Sequence, residues 1–201
     1  MVVLLMQQSP VGARGGIVSS LDSDVHEYFV DHRPDWVVDV ATFLDQVGES
    51  QVLLVVAVVI AALWWVRLRP SMLPFTVPLS VAVNELVVVI IKDIVDRERP
   101  EQAQQLVEAT SASLPSGHSA SAAALATSIV LIRALAAQGP RRWVVLDATV
   151  MVFAMAAGLA RLVLGVHWFS DVLAGWFIGF VVSVVIARAA SKIPVCRPST
   201  N

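Results

Sequence analysis

The chain has 201 residues and a net charge of −2; 57% of it is hydrophobic and only 15% is charged, with a mean hydropathy of +0.74. Soluble domains carry about a quarter charged residues, and here the apolar excess is gathered into long runs, so the composition excludes an ordinary soluble domain. A net charge near zero gives no field for nucleic acid, and the single cysteine, Cys196, excludes an intrachain disulfide and a cysteine-based metal site.

Residues 1–20 read as an N-terminal segment that is disordered or loosely attached. The opening MVVLLM is too short for the apolar region of a secretory signal and has no basic segment before it. The first 50 residues hold eight of the sixteen acidic residues and no full span. Within them, Asp35–Gln46 predicts a helix with Trp36, Val37, Val40, Phe43 and Leu44 on one face and Asp39 and Asp45 elsewhere. That pattern suits a helix lying in the membrane interface.

A helical span needs about 20 apolar residues, and five segments qualify. Gln51–Leu68 carries Trp64 and Trp65 at interfacial depth. Ser71–Val95 is interrupted by Pro74, Pro78, Asn84 and Glu85. Ser116–Ala137 is rich in Ala and Ser, which permits close helix approach. Trp143–Leu164 is the fourth. Ser170–Ala190 is the fifth, and its Gly175 and Gly179 read as a packing face. The expected fold is all-α: a polytopic transmembrane bundle of five spans over residues 21–190, with an N-terminal interfacial helix and a cytoplasmic tail over 191–201.

Basic residues near span ends predict orientation. Arg67 and Arg69, then Arg141 and Arg142, then Arg188, Lys192 and Arg197 fall on one side of an alternating path, which is read as cytoplasmic. Arg97, Arg99 and Arg161 fall on the other side, against the rule, and read as retained for a ligand. Arg133 and Asp147, near the cytoplasmic ends of their spans, are expected to face water. Glu85, in mid-span, is costly there if ionised and unpaired. It is read first as a protonated or Arg-paired structural residue, and second as a contact to a polar headgroup or part of a proton path.

Three polar clusters border the spans: Lys92–Pro100 (KDIVDRERP), Pro115–His118 (PSGH) and Arg161–Asp171 (RLVLGVHWFSD). Lys92 and Arg99 are two helical turns apart and share a face if the span continues outward to Pro100; a compact ammonium and a planar guanidinium together suit a phosphate. Pro115 is expected to start a helix whose first N–H groups can receive an anion, with Gly117 allowing close approach, Ser116 adding a hydroxyl and His118 placed as an acid. His167 and Asp171, four apart, allow the carboxylate to hold one ring nitrogen while the other attacks. Singly, each cluster also reads as structure: a snorkelling Lys with loop arginines, a capping turn, a His–Asp pair at a helix end.

Together the clusters follow the pattern Lys-x6-Arg-Pro, Pro-Ser-Gly-His and Arg-x5-His-x3-Asp. The chain therefore resembles the type 2 phosphatidic acid phosphatase (PAP2) family, which shares its site with vanadium haloperoxidases. The matching residues are Lys92, Arg99, Pro100, Pro115, Ser116, Gly117, His118, Arg161, His167 and Asp171, and the resemblance covers about residues 22–190. It implies a metal-independent phosphatase that uses no cofactor. By that resemblance His167 is the nucleophile and forms a phosphohistidine, Asp171 orients it, and His118 protonates the leaving oxygen. Lys92, Arg99, Ser116, Gly117 and Arg161 hold the phosphate oxygens. Ala160 stands where the family pattern has Ser, and one of the six spans usual in bacterial members has no counterpart before Leu21-Asp22.

The expected activity is hydrolysis of a lipid phosphate or diphosphate (polyprenyl diphosphate, phosphatidic acid or phosphatidylglycerol phosphate) at the extracytoplasmic face of the plasma membrane. The expected partners are this substrate and membrane lipids, without nucleic acid; the sequence leaves the oligomeric state open. A non-enzymatic lipid-phosphate binder or transporter is the alternative, and vanadate-dependent halide oxidation a more distant one. Residues 101–114 lie where a lid over the site would be.

Overall fold

The structure, a computed structural model, describes residues 17–67, 72–135 and 142–192. Arg69, Arg141, Arg197, Cys196 and residues 1–16 lie outside the described residues. Among the described residues the chain is all-α. It forms α1 (Ile17–Asp31), α2 (Asp35–Val47), α3 (Ser50–Arg67), α4 (Thr76–Val95), α5 (Gly117–Leu135), α6 (Arg142–Val163) and α7 (Phe169–Ser191), with short 3-10 turns at Leu73–Phe75 and Gln102–Gln104. Five segments are long and apolar enough to cross a membrane: Ser50–Arg67, Leu73–Val95, Gly117–Leu135, Trp143–Val163 and Phe169–Ser191. Each matches an expected span to within a few residues.

Helix α5 occupies the centre and touches α3, α4, α6 and α7. It is the least apolar of the five spans and the most buried, because a helix enclosed by other helices need not present hydrocarbon to lipid. Its Ala and Ser residues let α7 approach closely. A side chain at Gly175 would come within 2.6 Å of the Ser116 carbonyl oxygen, and one at Gly179 would strike the carbonyl of Ala120. Small residues hold these two helices together, since lipid offers no hydrophobic force between them. Gly175→Val is expected to lower stability by about 1–3 kcal/mol through overpacking, read as a lower thermal midpoint in detergent.

The outer faces carry the apolar side chains that a soluble protein would bury. Val55, Val59, Leu63 and Val66 of α3 and Phe177, Phe180 and Val185 of α7 are all exposed, as lipid-facing positions should be. At the end of the bundle that holds Arg67 and Ser191, Arg133 and Asp147 form a half-buried ion pair between α5 and α6. The expectation that both face water is corrected: each is the other's counterion.

Helix α2 forms where the sequence places it, but it has two apolar sides. Trp36, Val40 and Phe43 point outward, whereas Val37, Val38, Ala41 and Leu44 pack on α6 residues such as Ala160 and Val163. The two sets are offset by one residue at helical spacing, so reading them as one face merges a lipid-facing stripe with a packing stripe. Helix α1, not expected as an element, begins at Ile17 inside the segment read as loosely attached. It buries Asp22 and His26.

Candidate active site

All three polar clusters lie at the same end of the bundle, where α2 and α4 finish, where α3, α5 and α7 start and where α6 ends. Helix α4 stops at Val95, not at Pro100, with Asp96 in the left-handed region (φ 43°). Lys92 and Arg99 therefore do not share a helical face as expected. They meet through the loop: Lys92 Nζ donates to Ser111 Oγ at 3.0 Å and to the Ala112 carbonyl at 2.5 Å, while Arg99 Nε donates to the Ser111 carbonyl at 2.7 Å. An ammonium has three donors, so two bonds leave Lys92 one more. Residues 101–114 thus supply, at Ser111 and Ala112, backbone and hydroxyl partners for both cations. Gln104 bonds His26 at 2.7 Å, and the Leu106 N–H reaches the Leu164 carbonyl at 3.0 Å.

His167 sits in the turn before α7 and is 2% exposed. The turn depends on Gly165, whose φ of +72° favours glycine and whose Cβ would lie 2.6 Å from the Gln104 carbonyl. Arg99 Nη1 donates to the Val166 carbonyl at 2.6 Å and lies 3.2 Å from His167 Nε2. The other ring nitrogen, Nδ1, is 3.5 Å from Asp171 Oδ2. A guanidinium can only donate, so the Nε2 beside it carries a lone pair, and the ring proton belongs on Nδ1 facing the carboxylate. Burial pushes the His167 imidazole down to about 3, with the hydrogen bond to Asp171 pulling the other way.

That depression has a sign. The folded value lies below the unfolded value of about 6.5, so protonation favours the unfolded chain. This contribution to stability is complete above about pH 6.5 and is lost as the pH falls toward 3. His167→Gln is expected to show a smaller drop in thermal midpoint between pH 7 and pH 4 than the wild type, measured in the same detergent.

Asp171 is fully buried, and every bond to it comes from a donor. Ser113 Oγ donates at 2.5 Å, Arg97 Nη1 at 2.5 Å and the Trp168 N–H at 2.9 Å, the last capping α7. Arg97 also pairs with Asp22 at 2.7 Å, and Asp22 accepts from Ser170 Oγ at 2.6 Å. Arg97 is therefore not held for a ligand, as its position in the sequence suggested. It joins α1 to α7 and fixes the Asp171 carboxylate.

His118 and Arg161 meet at a residue that sequence reasoning missed. Asp45, near the end of α2, pairs with the buried guanidinium of Arg161 and lies 3.3 Å from His118 Nε2, which is also 3.2 Å from the Asp45 carbonyl. The sequence set Asp45 only off the apolar face of its helix, as it did Asp39; the packing of α2 on α6 aims it at Arg161. The two groups of residues are neighbours. The Val166 N–H, next to His167, donates to the Arg161 carbonyl at 3.2 Å, and Ser116, two residues before His118, donates its N–H to the Asp171 carbonyl at 3.0 Å.

Ser116 is buried and caps α5 by accepting from Ser119, and its own N–H donates to the Asp171 carbonyl at 3.0 Å. The helix starts at Gly117, two residues after Pro115, so the first N–H groups of α5 open beside His118. A Cβ at Gly117 would meet only Val88, at 3.8 Å; packing within the protein does not demand glycine there. Asp22, Asp45, Arg97 and Ser113 are the additions. Of these, the sequence marked Arg97 alone, by its place against the charge rule; Ser113 was one of two serines shortly before Pro115.

A family model described as the PAP2 superfamily matches residues 73–194, more than half of the chain. The chain belongs to the PAP2 superfamily. It is 30% identical over 178 residues to phosphatidylglycerophosphatase B of Bacillus subtilis (strain 168), covering 88% of this chain and 86% of that protein. The crystal structure of a transmembrane PAP2-type phosphatidylglycerolphosphate phosphatase from Bacillus subtilis superposes with a TM-score of 0.76 at 28% identity, over 92% of this chain and 91% of that one. Aquifex aeolicus LpxE shares the fold, with a TM-score of 0.67 at 19% identity over 83% of this chain and 94% of that one. This PAP2 protein is accordingly a multi-pass helical membrane protein, as five apolar helices and a transmembrane relative together require.

Proposed function

We propose that this PAP2 protein is a lipid phosphatase that transfers phosphorus to His167 and then to water, at the extracytoplasmic surface of the plasma membrane. The observation that carries the reading is the His167 ring itself, with Nε2 beside Arg99 and Nδ1 toward a fully buried Asp171. A neutral imidazole with its lone pair next to a phosphate-binding cation is an activated nucleophile. The names of the Bacillus subtilis relatives agree with a lipid phosphate as substrate.

In the first step His167 Nε2 forms a bond to phosphorus as the bond to the lipid oxygen breaks. His118, held at Nε2 by Asp45, gives the leaving oxygen a proton from Nδ1. Lys92, Arg99 and Arg161 neutralise the equatorial oxygens together with the first N–H groups of α5, and Gly117 lets the phosphate come close. In the second step water attacks the phosphohistidine, His118 takes its proton, and inorganic phosphate leaves as His167 is restored. Asp171, fixed by Arg97, Ser113 and the Trp168 N–H, keeps the ring in the attacking orientation. The site lies at the end of the spans, so a lipid can present its head while its tail stays in the bilayer. The predominance of basic residues at the opposite end supports the outward orientation.

The test is phosphate release by purified protein from a panel of polyprenyl diphosphate, phosphatidic acid and phosphatidylglycerol phosphate in EDTA. Release that persists in EDTA supports the reading, because the fixed cations do the charge neutralisation; tight binding without turnover would favour a lipid binder instead. Asp45→Ala is expected to lower kcat by about 10²-fold, the scale of general acid–base catalysis, with a smaller change in KM.

A further inference from the structure

One polar cluster has no part in the scheme above. On α5, Ser121 is one turn beyond His118, about 4.5 Å further along the axis. Its hydroxyl is buried and lies 3.0 Å from Ser50 Oγ at the start of α3, 3.3 Å from Asn84 Nδ2 and 3.5 Å from Glu85 Oε2 on α4. The hydrogen-bonding capacity of this cluster is not used up within the protein. Asn84 is 0% exposed, yet its Oδ1 has no partner, and exchanging the two ends of the amide would only move the deficit to its nitrogen. Glu85 has no ion pair among the described residues, so of the protonated or Arg-paired roles expected for it the arginine partner is not found. Ser50 and Glu85 are half-buried rather than sealed, and the Ser121 hydroxyl that both approach stands one turn from His118 on α5. The cluster therefore faces the site from the side of the general acid.

Resting on the lipid-phosphatase reading, we infer that Glu85 and Ser50 form a subsite for a free hydroxyl on the leaving alcohol, one carbon removed from the phosphorylated carbon. His118 protonates the leaving oxygen, so the next atoms of the alcohol must pass along α5 toward Ser121. An isoprenyl chain would place only hydrocarbon against the open side of Glu85 and Ser50, leaving their remaining hydrogen-bonding capacity unused. A vicinal hydroxyl donates to the Glu85 carboxyl group and accepts from Ser50. Ser121 and Asn84 position the pair from behind. A site that hydrogen-bonds a substrate hydroxyl discriminates against the analogue lacking it, because its own polar groups are then stranded.

The experiment compares 1-oleoyl lysophosphatidic acid with its 2-deoxy analogue in detergent micelles, using wild type, Glu85→Ala, Glu85→Gln and Ser50→Ala. The wild type is expected to prefer the hydroxyl-bearing lipid by at least about tenfold in kcat/KM. Glu85→Ala and Ser50→Ala should bring its turnover down to the level of the deoxy analogue, and Glu85→Gln, which keeps an acceptor, should restore part of the preference. Equal rates on the two lipids by the wild type, or equal losses on both in the variants, overturn the subsite and leave the phosphatase reading standing. Hydrolysis of neither lipid by a wild type that is also inactive on the wider lipid panel would remove the phosphatase reading, and the subsite with it.

Discussion

His167→Ala should lose at least about 10⁴-fold in kcat, the scale seen when a nucleophile is removed from a catalytic unit that acts as one. Phosphate release per enzyme, followed with a lipid phosphate at saturating concentration, is the measurement. The loss should fall on kcat and not on KM, because Lys92, Arg99 and Arg161, the proposed phosphate ligands, are untouched. The variant should also stay folded. Removing a buried, neutral imidazole takes away no charge, and the contacts of Arg99 with Ser111 and Val166 do not pass through the ring. A His167→Ala protein that kept a tenth of wild-type kcat would place the nucleophile elsewhere.

Asp171→Asn should be nearly as severe, on the order of 10³- to 10⁴-fold in kcat, as for the acid of other His–acid pairs. The cause is the tautomer. Nδ1 of His167 faces Oδ2 at 3.5 Å, and an amide nitrogen there would favour the proton on Nε2, the atom proposed to attack. Stability should fall too, since Arg97, Ser113 and the Trp168 N–H all donate to this carboxylate and an amide cannot accept all three as well. Asp22→Asn separates the two effects. It loosens Arg97 and Ser170 without touching His167, so it should lower the thermal midpoint with a much smaller change in kcat.

The spans and the three clusters were legible because they depend on local signals. Apolar runs of spanning length do not need tertiary context, and the Gly175 and Gly179 spacing announced a close packing face that α5 fills. Lys92, Arg99, His118, Arg161, His167 and Asp171 stand out as charges beside hydrocarbon. What was not legible depends on how elements pack. Asp45 stood only off the apolar face of its helix until α2 was seen to have one stripe on α6 and another facing lipid. Arg97 and Arg99 are two residues apart in the same loop, yet one bonds Asp171 and the other lies against His167. Both follow the left-handed turn at Asp96 that ends α4, which no residue type in the sequence demands. Ser113 is one of several serines in a polar loop, and only its contact at 2.5 Å with Asp171 sets it apart.

A single turnover with lipid phosphate labelled at phosphorus, stopped in alkali to preserve an acid-labile phosphohistidine and followed by peptide mapping, tests the account most directly. The label should appear on the peptide containing His167, and on no other, in step with release of the dephosphorylated lipid. Label on His118 or any other residue, or complete hydrolysis with no labelled protein at any time during the turnover, would contradict it.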